Sequence, residues 1–514
     1  MLLSTLFLDF KHSYPFQLGS FLHFTNMFSR SVAFVAYVAT LAVAVDPSMK
    51  LKTFVDVMDL SSEFDPVKAA YWTNLPHHRR TPFAVSPDGE TGYLAYLDSS
   101  GKGVHVEHIH PATMTRKGPD VTIPNVQEAG GLVAHDHGFA LLGNEAIDSS
   151  VSNAPPSGTP VPAIYRYIYG EQQWRTWLGG PDVHPDAGLA MSPDLNGDLV
   201  WSDEAEMYGA YFVVTDYAGD AKGHYGDSIQ YINDNGTLET IDGATSSWGC
   251  SHNTGIAFEA ADQPPYASIC AEDQGAIWLN TQTQGMSTGG VKVSNENTTN
   301  GASGEPMGGM SGSYSGLARF ANSTSYIFTW VSRGAVDLTE NTWMGEGYTH
   351  ANNRTNGRRV ALAMFSDKQS KVGDEATSEV GAANGDSQVN WITESTGPDR
   401  SNAHVAVFDD EYALITWEQI DDPHCDEVAF GCSGEFSGSY FQLVNKSGKK
   451  IGDPITSKDT YVAGDLVTLN NGTICWPYVN MQWQLSNPVG GYGFGSNSEA
   501  STTQKMSFGC MSLV

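Results

Sequence analysis

The sequence predicts an all-β protein folded as a seven-bladed β-propeller and stapled by disulfides. Three observations predict it. A strand–turn–strand unit recurs seven times, a second unit fills the intervals between copies, and the composition is poor in charge and rich in turn formers. Charged residues are 17% of 514 and Gly numbers 54, which suits a β-rich fold with many turns and not a helical or disordered chain. Repetition at a period of tens of residues marks a propeller or solenoid, and room for four strands per repeat selects the propeller. A pair of β-sandwich domains would lack a common unit and need a linker near the middle; neither is visible.

The chain opens outside the repeat. Ser31 to Ala44 is an uncharged apolar run behind Arg30, ending in Ala42-Val43-Ala44. Such a run with a positive flank and small terminal residues has the form of a signal peptide, and it is shorter than the roughly 20 residues that span a bilayer. We expect residues 27–44 to be the signal, with Met27 the better start and 1–26 an N-terminal extension. Residues 45–514 then form a single propeller domain, secreted, monomeric and without a membrane anchor after cleavage.

The inner hairpins begin at Phe83-Ala84, Leu132-Val133, Leu189-Ala190, Ile256-Ala257, Leu317-Ala318, Val405-Ala406 and Leu466-Val467. Each places turn residues such as Pro87-Asp88-Gly89 or Asn470-Asn471-Gly472 between two short alternating strands. The second unit appears at Val104 to Asp120, Val360 to Asp374 and Tyr440 to Asp453: a strand, a polar turn, then Lys and Gly opening another strand. These are the outer strands of blades. From position 317 to position 405 is 88 residues, room for an extra blade or an insertion, so six or eight blades also fit.

All six cysteines follow the signal, as expected for disulfides in an oxidising compartment. Six allow fifteen pairings; the simplest joins neighbours, Cys250–Cys270, Cys425–Cys432 and Cys475–Cys510, the last tying the final inner strand to the C-terminal strand. Six sequons, at Asn235, Asn297, Asn322, Asn353, Asn445 and Asn471, are candidate glycosylation sites. The net charge of −31 argues against nucleic acid, whose phosphates need Lys and Arg.

Loops at one mouth of a propeller form its usual binding face. The residues ending the inner hairpins are Asp98, Glu145, Asp203, Glu204, Glu272, Asp273, Arg333 and Glu418, a ring of carboxylates with one arginine. Glu145, Trp201, Asp273 and Glu418 are the expected binding residues. His184, His252 and His404 enter inner strands; His252 and His404 are the candidate general bases, and Arg333 the candidate partner of a ligand carboxylate. His105, His108 and His110 fall in outer strands and are assigned no metal. Asp194 to Asp198 reads as the third hairpin's turn. Arg354, Arg358 and Arg359 form a basic cluster, and Gly304 to Gly316 a flexible entry loop. No G-x-S-x-G, H-E-x-x-H or dinucleotide fingerprint occurs, and no cofactor is expected.

The repeat, the stretches Trp248-Gly-Cys-Ser-His252 and Ile269-Cys-Ala-Glu-Asp273, and the signal with its sequons resemble uncharacterised secreted propeller proteins of filamentous fungi. The resemblance covers the mature chain and names no reaction. The first expectation for function is a carbohydrate-active lyase or hydrolase of plant or fungal glycans, with 12 Trp and 22 Tyr to stack on sugars. A second is a secondary-metabolism enzyme steering a cofactor-free cyclisation or hetero-Diels–Alder type cycloaddition in a dry, aromatic mouth. A third is a non-catalytic glycan-binding protein, disfavoured because exposed aromatics do not repeat from blade to blade. In each case the partner is a glycan or small molecule at the mouth.

Overall fold

Short strands that are apolar on both faces are stable only when sheets cover each other front and back, and a closed ring of sheets meets that demand. The computed structural model describes residues 47–514 apart from 70–74, 185–188, 192–196, 218–224, 251–254, 273–275, 285–289, 297–313, 339–350, 354, 356, 377–379, 382–387, 426–431 and 487–501. These residues form seven antiparallel sheets of four or five strands, arranged as a seven-bladed β-propeller. No helix occurs among them.

Each blade runs from its inner strand outward. Blade 1 orders Phe83–Val85, Gly92–Leu97 and Gly103–His110, with Thr115–Arg116 and Val121–Pro124 outermost. Blade 2 is Ala129–His135, Gly138–Ala146, Pro160–Ile168 and Glu171–Trp177, and blade 4 is Ile256–Glu259, Ala267–Glu272, Ala276–Leu279 and Val291–Asn295. Blade 6 is Asp399–Val407, Tyr412–Ile420, Phe436–Asn445 and Lys450–Ser457. Side chains of adjacent blades form continuous cores, such as Ala95, Leu132, Phe139 and Tyr165, or Ile269, Phe328, Trp330 and Phe365. Blades touch so closely that a Cβ on Gly209 would lie 2.6 Å from the Tyr266 ring.

Six inner hairpins lie where the repeat puts them. Blade 3 is different. Leu189–Met191 and Gly197–Ser202 both pair with the same strand, Met207–Asp216, so both belong to the inner edge. The sequence unit takes Gly197–Ser202 for the second strand; the longer apolar run MYGAYFVV outcompetes it for that place. The expected turn at Asp194 lies outside the described residues. The 88-residue interval holds an insertion, not a blade: Ala335–Asp337 pairs with Ala351–Asn353 between the second and third strands of blade 5. A similar small hairpin, His424–Cys425 with Cys432–Ser433, sits in blade 6 and is closed by Cys425–Cys432.

Ring closure uses strands from both ends of the described residues. Blade 7 is Val467–Thr468, Ile474–Tyr478, Thr503–Leu513 and, outermost, the N-terminal strand Met49–Phe64. That strand covers the edge the C-terminal strand would otherwise leave bare. Cys475 and Cys510 are direct cross-strand partners, so their disulfide ties the second strand of the last inner hairpin to the C-terminal strand, as expected. The third disulfide is Cys250–Cys270.

Antiparallel order gives the two faces different loops. First strands begin, and second strands end, at the face called the mouth here. The turns between first and second strands lie at the opposite face.

Candidate functional site

The mouth site is built on a segment outside the repeat. Between the N-terminal strand and blade 1 the chain forms a small hairpin, Val67–Ala69 with Pro76–His78, and then enters blade 1 through Arg79, Arg80 and Thr81. Thr81 bridges in parallel to Gly464, just before the inner strand of blade 7. This course lays His77 to Arg80 across the propeller.

His78 is 1% exposed, and its Nε2 lies 2.7 Å from Glu418 Oε1. Asn402 Nδ2 donates to the same oxygen at 3.2 Å, and Trp483 Nε1 donates to Oε2 at 2.8 Å. Trp483 also stacks on the His78 ring, 3.8 Å between centroids, and Tyr461 stands 5.5 Å away. Burial opposes the Glu418 charge, but His78 and the Trp483 N–H together hold its carboxyl below the ordinary value. The Nδ1 of His78 is buried and has no hydrogen-bond partner among the described residues. Asn402 reaches Glu418 because the pairing slips between Ser401 and His404, with Asn402 at φ +52°, a conformation Asn tolerates better than most residues.

His404 is fully buried. Its Nδ1 lies 2.8 Å from Tyr314 O and its Nε2 2.8 Å from Asn402 Oδ1, while the ring stacks on Tyr314. Both nitrogens are spent on the scaffold, so His404 positions Asn402 and is not placed as a base. Deeper toward the axis, Arg80 contacts Gly197 O at 2.6 Å, Asp465 at 2.6 Å and Asp198 at 2.9 Å, also bonds Gly130 O, and lies over the Tyr314 ring. Lys68 and Arg79 share Glu128 at 3.1 and 2.9 Å.

Arg333 follows the second strand of blade 5 and is 2% exposed. Its Nη2 lies 3.6 Å from Cys432 Sγ, and its Nε is buried without a hydrogen bond among the described residues. Nearby Arg358 grips Asp399 in a fork, 3.0 Å from Nε and 2.7 Å from Nη2. Burial, then Arg358, lowers the Arg333 pKa to about 10. Asp399, Cys425 and Cys432 have ligand atoms within 4.8 Å of one another, but the sulfurs are bonded to each other and the carboxylate to Arg358.

The remaining expected residues disperse. Glu145 pairs with Arg175 of the outermost strand of its own blade, away from the axis, and burial raises its carboxyl pKa. Trp201 ends an inner strand, so it lies at the opposite face with Asp203 and Glu204; its Nε1 donates to Asp203 at 2.7 Å. His184 approaches Gln230 at 3.3 Å. His105 sits beside Asp120 at 2.9 Å and Asp98 at 3.6 Å, and His108 meets Tyr93 edge-on. His252, Asp273, Asn297, Arg354 and most of the Gly304 to Gly316 loop lie outside the described residues. The missed residues were signalled by His77-His78-Arg79-Arg80, four imidazole or guanidinium groups in a row in a chain with only 27 Lys and Arg.

No family model and no curated protein matches the sequence. Several solved structures are remotely similar. A protein of unknown function from Dyadobacter fermentans has a TM-score of 0.39 at 9% identity, over 91% of this chain and 100% of that one. A member of the duf4221 family from Bacteroides vulgatus has a TM-score of 0.35 at 9% identity, over 91% and 98%. Prolyl oligopeptidase B from Galerina marginata has a TM-score of 0.33 at 9% identity over 73% of this chain, which spans 42% of the oligopeptidase. The fold assignment rests on the blade topology and not on these likenesses.

Proposed function

We propose that the protein is an exported enzyme that performs general-base chemistry, of lyase type, on a plant or fungal glycan at the mouth. His78 is the base and Glu418 the residue that orients it. The observation behind this reading is the unpartnered Nδ1 of a buried imidazole whose Nε2 is held by a carboxylate. A neutral ring that donates Nε2–H to Glu418 keeps its lone pair on Nδ1, as when a carboxylate fixes the tautomer of a histidine base. Hydrolysis of a glycosidic bond ordinarily needs two carboxyl groups flanking it. Glu418 is occupied by three donors, so elimination suits the site better. In that step the base takes the proton beside a sugar carboxyl group, its electrons form a carbon–carbon double bond, and the bond to the leaving oxygen breaks as that oxygen takes up a proton. The three disulfides support export, and so do the exposed sequon residues Asn235, Asn322 and Asn471 at hairpin turns.

The test is to secrete residues 45–514, offer neutral and uronate-containing polysaccharides, and follow new reducing ends together with absorbance of unsaturated uronates. His78→Ala and Glu418→Gln should each lose about 100-fold or more in turnover while melting near the wild type. Full turnover in a folded His78→Ala protein would sink the assignment. The aromatic packing of Tyr461, Tyr478, Trp483 and Phe436 beside His78 favours the cyclisation reading as the second choice; silence across the panel from folded protein shifts the weight there.

A further inference from the structure

Buried and part-buried arginines among the described residues differ in what neutralises them; Arg166 has the carbonyls of Phe139 and Tyr167 and Asp234 at 3.6 Å. Arg80 has Asp198 and Asp465, and Arg358 has Asp399. Arg400 spends its guanidinium on Gln419, Ser395 and the Pro398 carbonyl. Among the described residues Arg333 has a disulfide sulfur at 3.6 Å as its guanidinium's one hydrogen-bond contact. A buried guanidinium without an anion is costly, and natural proteins pair such groups or use them. Asp399, the carboxylate whose charge acts on Arg333, is already engaged bidentately by Arg358. Among the described residues two guanidinium groups therefore share one carboxylate, which leaves one positive charge without its own anion in a chain of net charge −31.

We propose that Arg333 is an anion subsite of the mouth, and that the glycan turned over there carries a free carboxylate, as a uronate does. This rests on the lyase reading above and narrows its substrate class. The guanidinium fork matches a carboxylate in plane and spacing, which a lysine ammonium does not. Placement agrees. Arg333 lies beside Asp399 at the start of the inner strand of blade 6, and the Glu418 dyad is held by Asn402, three residues along that strand. Three residues of strand span about 10 Å, so one bound oligomer can reach both. A carboxylate neutralised by Arg333 also draws charge from the adjacent carbon, which stabilises the anion that develops as the base removes its proton. With a pKa of about 10, Arg333 stays charged at neutral pH.

Calorimetry with trigalacturonate and with its methyl ester tests the inference on wild type, Arg333→Gln and Arg333→Lys, each checked for unchanged melting. Wild type should bind the acid about 30-fold or more tightly than the ester. Arg333→Gln should lose that preference, and Arg333→Lys should keep part of it. Should the glutamine variant fail to fold, the lysine variant decides by showing a weakened but surviving preference for the acid. Equal affinity for acid and ester, no binding of the acid, or a preference untouched by Arg333 substitution would overturn the inference. The lyase reading fails separately, if the acid binds through Arg333 and no unsaturated product ever forms.

Discussion

What each histidine can do here is decided by what its two nitrogens touch. His404 has both committed to the scaffold, and His78 has one committed and one without a partner. His135 shows a third state. The Tyr208 hydroxyl lies 2.6 Å from its Nε2, and Trp201 meets the ring edge-on. Burial, reinforced by Arg166, lowers the His135 pKa to about 4. The unfolded chain takes up this proton as pH falls through about 6.5, and the folded chain refuses it until about 4. His135 therefore supports the fold fully above about pH 6.5 and loses that support between 6.5 and 4. The slope is at most about 1.4 kcal/mol per pH unit, and less because the ring is partly exposed. Urea titrations between about pH 7 and pH 5 should show a flatter acid limb for His135→Asn than for wild type. Parallel limbs would mean that His135 does not carry the linkage.

At the scale of elements, six of the seven inner hairpins and the outer units are legible in the sequence, because period-two alternation and Gly/Asn/Asp turns are local signals. Blade 3 misleads for a physical reason. Gly197–Ser202 is itself a good strand, and only competition with Met207–Asp216 puts it on the inner edge. That register moves Trp201 from the mouth to the opposite face, so a site residue was misplaced by a correct strand with the wrong neighbour. The mouth dyad was harder still. His78 and Glu418 are 340 positions apart, and His78 sits in a segment with no repeat to announce its place. Closure also escapes local reading, since the N-terminal strand finds its partner at the far end of the chain. In that last blade, Cys475–Cys510 closes a loop of 35 residues. Replacing both cysteines by Ala should lower unfolding free energy by about 3–4 kcal/mol, read from the denaturant midpoint of wild type and double variant. Coincident midpoints would show that the strand pairing alone holds the blade.

On the scale of the whole molecule, the blades must be held about their axis as well as to their neighbours, and Arg80 is the residue placed to do so. Its guanidinium bonds the carbonyls of Gly130 in blade 2 and Gly197 in blade 3, pairs with Asp198, and pairs with Asp465 at the entry to blade 7. Asp465 in turn accepts from the backbone N–H of Phe83, the first residue of blade 1. One side chain thus links four blades and pairs with two carboxylates. Burial, with the charge of Asp465 beside it, raises the Asp198 pKa to about 6 even with Arg80 in place. Arg80→Met removes the cation and leaves both carboxylates buried together, which should cost about 3–5 kcal/mol at neutral pH. The origin of that cost is checkable. If it is the unpaired charge, adding Asp198→Asn and Asp465→Asn should recover much of the loss. Acidification from about pH 7 to pH 5 should likewise narrow the gap to wild type, because protonation relieves the carboxylates of the variant first. A gap that neither acid nor the asparagines reduce would assign the loss to the missing carbonyl bonds and the Tyr314 contact instead. Arg80 would then hold the ring by geometry and not by charge.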